Sequence, residues 1–399
     1  MFAPVPLQVR VALVSGLLLA VGAGCSSGAT DSAPHGSSAT SGPSDPTPGA
    51  TATQDPGEQV TAALAALDRR ERVAQLFVVG VQLDDLSGGD DLAGSGVGGI
   101  FLAGRSHDAA ADLAQVTAGW QSRAPGPGLW MAVDQEGGKV QSLRGSGFEP
   151  LPSATAQASL PPAELTALAD RMGAALHSAG INVDLAPVAD VVPAGTEAGN
   201  EPIGAFDRQY GSTAATVVAA AGAVVEGLAA HGVTATLKHF PGLGRVRGNT
   251  DTRAEVTDDV TTAEDDQVRA FGALLHSPSR PFVMMSSAVY TRIDPTGQAA
   301  FSPVVVSGLL RERLGFDGVV ISDDLANARA VHDLPPGERA TRFLAAGGTL
   351  VLTLDDAILP AMIDAVVERA DADPAFAAAV DDAVRITLLA KARAGLLTD

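Results

Sequence analysis

A lysine and a histidine stand side by side at Lys238-His239, directly after the apolar run Thr234-Ala235-Thr236-Leu237 and directly before Phe240-Pro241-Gly242. An apolar run of that length reads as a buried strand, and Pro241 with Gly242 ends it. A cation and an imidazole are thereby delivered into a loop that Gly244 and Gly248 keep loose as far as Asp251. Either the pair sits in solvent on an ordinary strand-to-helix loop, or it belongs to an active-site rim, where function collects on such loops. Other apolar runs end in groups of comparable chemistry. One ends Asp134-Gln135-Glu136-Gly137-Gly138-Lys139, one leads to Asp190 and a loop carrying Arg208, one ends Ser286-Ser287, and one leads into Asp323-Asp324-Leu325. Singly, each is explained by solvation or capping, and Asp323-Asp324 can simply N-cap the next helix. Together, carboxylates, a lysine, a histidine and an arginine are the donors and acceptors that hold paired hydroxyls of a sugar.

The elements that must position these groups follow from the hydrophobic pattern. Apolar runs at 75–81, 97–102, 129–134, 182–188, 234–240, 281–287, 318–322 and 349–353 are of strand length and do not alternate, as expected of parallel strands covered on both faces. Helix-like segments lie between and after them, at 109–122, 162–179, 214–231, 263–275, 307–314, 356–370 and 375–397, with start signals such as Ser212-Thr213 and Pro161-Pro162. Eight strands alternating with helices predict a (β/α)8 barrel of the TIM type, whose active site gathers at the C-terminal strand ends. A doubly wound sheet is the alternative. Its glycine-rich phosphate turn is absent, because Gly94-Ser95-Gly96-Val97-Gly98-Gly99 precedes a strand instead of opening a helix.

Composition narrows the partners. The 399 residues are 46% hydrophobic and 4% aromatic, with a mean hydropathy of +0.19, so a large core can be buried. A net charge of −20 without any basic run excludes nucleic acid as a partner. No cysteine and histidine spacing suits a metal, and a monomer is expected. At the N-terminus, Arg10 precedes an apolar run at 11–21, too short for a stable membrane span, and Gly22-Ala23-Gly24 leads to Cys25, the only cysteine. Residues 1–25 are therefore expected to be a lipoprotein-type signal ending at a lipidation cysteine. The leucine usual three residues before such a cysteine is Gly22 here, and ordinary cleavage near Gly24 is the other reading. Residues 26–57, rich in Ser, Gly, Thr and Pro, are expected to form a disordered tether, leaving 58–399 as the folded domain on the outer face of the cell membrane.

Three motifs carry a resemblance. Asp134-Gln135-Glu136-Gly137-Gly138, Lys238-His239-Phe240-Pro241-Gly242-Leu243-Gly244 and 315–325, which reads GFDGVVISDDL, resemble glycoside hydrolase family 3, nearest its bacterial β-N-acetylglucosaminidase branch. The resemblance runs from about Val73 to Leu354 in family order, and with the signal and stalk it points to lipoprotein members from actinobacteria. It implies a retaining mechanism without metal or organic cofactor. Asp323 matches the nucleophile that forms the covalent glycosyl-enzyme. Asp134, Arg208, Lys238 and His239 match residues that hold the sugar hydroxyls, and Arg144 lies close to another such arginine. A carboxylate nucleophile must be ionised, which Lys238 and Arg208 nearby would favour.

The acid/base is where this chain departs from the pattern. Retaining glycosidases use a second carboxyl about 5–5.5 Å from the nucleophile. Many family members carry theirs on a second domain, and the expectation here is a single barrel domain without that α/β sandwich. The single-domain branch uses an Asp-x-His pair after the fifth strand, where this chain has Asp251-Thr252-Arg253 and no histidine before His276. An arginine stays protonated and is a poor proton donor. Asp251 acting alone, Asp258 or Asp259 swinging in on a mobile loop, or weak hydrolysis altogether are the readings left open. Ser287 also stands where relatives often carry a histidine. The function implied is a retaining exo-β-N-acetylglucosaminidase acting on peptidoglycan fragments or other GlcNAc-terminated glycans. The alternatives are a β-glucosidase or β-xylosidase, a phosphorylase drawing on Arg245, Arg247 and Arg253, or a non-catalytic muropeptide-binding lipoprotein.

Overall fold

The computed structural model describes residues 55–397. The expected signal segment, Cys25 and the tether as far as residue 54 lie outside the described residues. Asp55 caps the first helix, Pro56–Ala66, by accepting from Gly57 N, so this helix straddles the tether boundary read from composition.

Eight parallel strands follow one another around a closed wall: β1 Phe77–Gln82, β2 Gly99–Ala103, β3 Trp130–Val133, β4 Val183–Asp184, β5 Thr234–Phe240, β6 Phe282–Met285, β7 Val320–Ser322 and β8 Val351–Thr353. Each pairs with its neighbours in chain order, and β1 pairs with β8. The seam between β7 and β8 is closed by the Ile321–Leu350 bridge and by Ser322 N donating to Leu350 O at 2.9 Å. The TIM-type barrel expected from the pattern is the observed fold.

The strands are continuous apolar runs because both of their faces are buried. Val78, Phe101, Trp130, Val183, Phe282, Ile321 and Leu352 fill the barrel, with Trp130 and Phe282 edge to face at 5.2 Å. Their neighbours Val79, Ile100, Met131, Leu237, Val283, Val320 and Val351 belong to the second core, between wall and helices. Strand β4 is shorter than its apolar run because Pro187, in a cis peptide with Ala186, has no N–H to give the ladder. Pairing resumes beyond it at the Val188–Lys238 bridge.

Helices Ala110–Arg123, Pro162–Ser178, Ala214–Ala229, Asp266–Leu274, Leu359–Ala372 and Pro374–Arg393 lie where the pattern places them, and Val304–Arg313 is a wider helix of π type. Thr213 caps its helix by accepting from Thr216 N, as its position suggests. Pro336–Ala345, between β7 and β8, was not among the expected helices.

Candidate active site

The C-terminal ends of the strands surround a cavity of about 370 Å³. Its walls include Asp134 after β3, Arg208 on the loop after β4, Lys238 and His239 on β5, Asp251 on the following loop, and Asp323 after β7. Six of the seven expected catalytic and sugar-binding residues are thus brought together. A second cavity of similar size, about 360 Å³, lies at the opposite end of the barrel beneath Pro374–Arg393, and is lined mainly by apolar side chains such as Trp130, Phe282 and Leu389. The converging acids and bases mark the first as the candidate active site.

Lys238 is 3% exposed, and its Nζ donates to Asp134 Oδ1 at 2.6 Å and lies 2.7 Å from Glu136 Oε1. Arg208 grips the same Glu136 through two parallel bonds, Nε to Oε2 at 2.8 Å and Nη2 to Oε1 at 2.7 Å. Burial alone would push the Glu136 carboxyl up, but Arg208 and Lys238 hold it down at about 2. Burial would likewise discharge Lys238, and Asp134 with Glu136 keeps it charged. Glu136 was named in its motif but given no role. The signal available was an acid near a strand end followed by two glycines. Gly137 lets the turn form, since its φ is 100° and a Cβ there would meet Pro152 O at 2.3 Å.

His239 is fixed from behind. Its Nδ1 lies 2.8 Å from Asp190 Oδ2, while Asp190 Oδ1 accepts from His239 N at 3.1 Å and from Leu243 N at 2.8 Å. Asp190, fully buried, therefore sets both ring and backbone and leaves Nε2 for the cavity. The Lys238–His239 and Phe240–Pro241 peptides are cis.

The Asp323-Asp324 pair divides its duties. Asp324 does what a capping residue does: Oδ1 accepts from Ala326 N at 2.8 Å and Leu354 N at 3.0 Å, and Oδ2 from Asn327 N at 2.9 Å. Asp323 accepts only from Asp324 N, at 2.8 Å, and its carboxyl faces the cavity. Burial first, and then the Asp251 carboxylate, push Asp323 up to about 6, with His239 opposing.

Asp251 stands on the exposed side of the cavity, its N–H bonded to Asn249 Oδ1 at 2.9 Å. Its companion Arg253 turns outward, with Nη2 2.5 Å from Glu201 Oε1. Asp258 is committed to its own turn, accepting from Val260 N at 2.8 Å, Thr261 N at 2.7 Å and Thr261 Oγ1 at 2.6 Å, and is no free acid. Arg144 is the expected site residue that the fold leaves out. Its guanidinium donates to Gln141 O at 2.9 Å and Gly138 O at 3.1 Å, within its own turn and away from the cavity wall. The Ser287 hydroxyl is buried without a hydrogen-bond partner among the described residues.

Comparison with known proteins bears on the family and the fold. The model of the glycosyl hydrolase family 3 N terminal domain matches residues 69–389, and the chain belongs to that family. Beta-hexosaminidase LpqI of Mycobacterium tuberculosis (strain ATCC 25618 / H37Rv) is 33% identical over 369 residues, 90% of this chain and 91% of its own. The crystal structure of beta-N-acetylhexosaminidase from Beutenbergia cavernae DSM 12333 superposes with a TM-score of 0.77 at 48% identity, covering 82% of this chain and 98% of that one. The structure of M tuberculosis LpqI gives a TM-score of 0.72 at 30% identity, covering 84% and 96%.

Proposed function

We propose that this chain is a retaining exo-acting β-N-acetylglucosaminidase that removes terminal GlcNAc from peptidoglycan fragments or related glycans. Asp323 carries the reaction. It is the acid on the cavity wall that accepts a single backbone N–H, from Asp324, while Asp324 beside it is consumed by three N–H groups. In the first displacement the Asp323 carboxylate attacks the anomeric carbon, the glycosidic C–O bond breaks, and the departing oxygen takes a proton from Asp251. In the second, Asp251 removes a proton from water, whose oxygen displaces Asp323 and restores the original anomeric configuration. Asp134, Arg208, Lys238 and His239 hold the sugar hydroxyls. Glu136 holds Arg208 and Lys238, and Asp190 holds His239.

The relatives' names support the amino-sugar reading over a β-glucosidase or β-xylosidase. A phosphorylase would want cations free to meet phosphate, whereas Arg208 and Lys238 in the cavity are already paired to Glu136 and Asp134. Arg245, Arg247 and Arg253 lie outside its walls, with Arg245 paired to Asp265 and Arg253 to Glu201, each at 2.5 Å.

The test is turnover of aryl β-GlcNAc and aryl β-glucoside, with and without phosphate. The expected result is hydrolysis of the GlcNAc substrate, unaffected by phosphate and abolished by Asp323→Ala. Failure on both sugars, or full activity of the variant, overturns the reading. We further propose that Cys25 is acylated and tethers the domain to the outer face of the cell membrane. The reading rests on a lone cysteine after a short apolar run. A fatty-acid analogue should label the wild-type chain and not Cys25→Ser.

A further inference from the structure

Behind the cavity, β4 carries an acid that the reaction does not use. Asp184 is fully buried. Its Oδ1 accepts the Gln135 N–H at 3.0 Å, and its Oδ2 has no hydrogen-bond partner among the described residues. Gln135 is the residue between Asp134 and Glu136, the two acids that grip Lys238 at 2.6 and 2.7 Å. That one hydrogen bond therefore bears on the turn that places both of them.

The charges around Asp184 can be counted. From the turn after β3 come Asp134 and Glu136; from β5 comes Lys238; the loop after β4 adds Tyr210 near it and Arg208 on the far side of Glu136. Burial, then Glu136 and Asp184, keeps the Tyr210 phenol neutral. With Asp184 protonated, two carboxylates face two cations. With Asp184 ionised, a third carboxylate has no cation of its own and an oxygen without a donor, which a buried site tolerates poorly. Burial pushes the Asp184 carboxyl up to about 8, opposed by the Gln135 N–H and Lys238 and reinforced by Asp134 and Glu136.

We propose that Asp184 is a positioning residue held as a neutral carboxylic acid, anchoring the Asp134–Glu136 turn through the Gln135 N–H, and that its ionisation loosens the grip on Lys238. The kinetic consequence rests on the glycosidase reading; the protonation state does not.

Three measurements test it. Activity on aryl β-GlcNAc should fall on the alkaline side through about pH 8 in the wild type. Asp184→Asn, which keeps the acceptor and cannot ionise, should retain wild-type kcat/KM below that pH and lose the alkaline limb. Asp184→Leu, without an acceptor, should lose about tenfold or more, as expected when a buried N–H is stranded. An Asn variant as damaged as the Leu variant, or one that keeps the limb, overturns the proposal. The third measurement needs no variant and no turnover. In wild-type protein carrying 13C-aspartate, the infrared spectrum at pH 7 should contain a label-sensitive band from a protonated carboxyl that disappears as pH passes about 8. Absence of such a band rules out the neutral acid even if the protein proves to be an active glycosidase.

Discussion

Arg253 and Glu201 meet at 2.5 Å outside the cavity, joining the loop after β5, which carries Asp251, to the loop after β4, which carries Arg208. The same loop is held from the β7 side, where Arg329 N donates to Asp251 O at 3.1 Å and Ala330 N to Thr250 O at 3.0 Å. Asp251 is thus placed by backbone bonds and a surface ion pair, without a histidine beside it.

The Arg253–Glu201 partners are 57% and 44% exposed, and exposed pairs contribute about 0–1 kcal/mol. Arg253→Ala should therefore lower stability by no more than that and slow turnover by less than about tenfold, to the same extent for good and poor leaving groups. The check is a series of aryl β-GlcNAc substrates whose phenols differ in pKa. A loss that grows with leaving-group basicity would put Arg253 in the proton transfer.

Asp323 and Asp251 line the same cavity, and the Asp251 carboxylate is one of the causes that raise Asp323. Asp323 is raised to about 6, and activity should fall as pH drops through that value and the nucleophile is protonated. Asp251→Asn removes the like charge that helps raise it, so the limb should move to lower pH. The same variant should slow basic leaving groups far more than acidic ones, the pattern of a lost general acid. A limb that stays put, with a uniform loss, would separate the two carboxyls and return the acid/base to another group.

The raised Asp323 also bears on folding. Its folded pKa, about 6, lies above the ordinary 3.8, so the native state holds this proton more tightly than the unfolded chain between those values. Stability attributable to the group is therefore complete below about pH 4 and is lost as pH rises through about 6. Asp323→Asn, which never ionises, should unfold at higher urea than the wild type at pH 7.5, with the advantage disappearing near pH 4. Equal midpoints at pH 7.5 would mean the carboxylate is not strained by its site.

The barrel was legible because the strands are buried on both faces and therefore read as mostly apolar runs, as in Leu129-Trp130-Met131-Ala132-Val133. Helix Pro336–Ala345 escaped because Pro335-Pro336-Gly337 opens it like a loop, while its buried Arg339, Phe343 and Leu344 are spaced on one face only once the helix exists. The strand ends pointed to Asp134, Lys238, His239 and Asp323, which line one cavity. The supporting residues were harder to read, since Glu136 meets Arg208 across 72 positions and Asp190 meets His239 across 49. No local pattern encodes such distances. Arg144 misled for the complementary reason: its type and approximate place suited the site, but nearby carbonyls claim its guanidinium.

Glu136 and Arg144 consequently make opposite predictions. Arg144→Ala should leave kcat/KM on aryl β-GlcNAc within about twofold, since the residue touches no cavity wall and surface changes of this kind are worth about 0.5 kcal/mol. Glu136→Ala leaves Arg208 and Lys238 as buried cations facing each other without their shared counter-ion. Removing one partner of a buried pair costs about 3–5 kcal/mol, so the urea midpoint should fall sharply. Glu136→Gln keeps the volume and one acceptor oxygen, and should fold better than Ala while still weakening the hold on Arg208. Its residual activity should keep the wild-type acid limb, because Glu136, held at about 2, is ionised throughout that range and takes no part in the proton transfer. A limb that vanished with Glu136→Gln would make Glu136, and not Asp323, the group behind it.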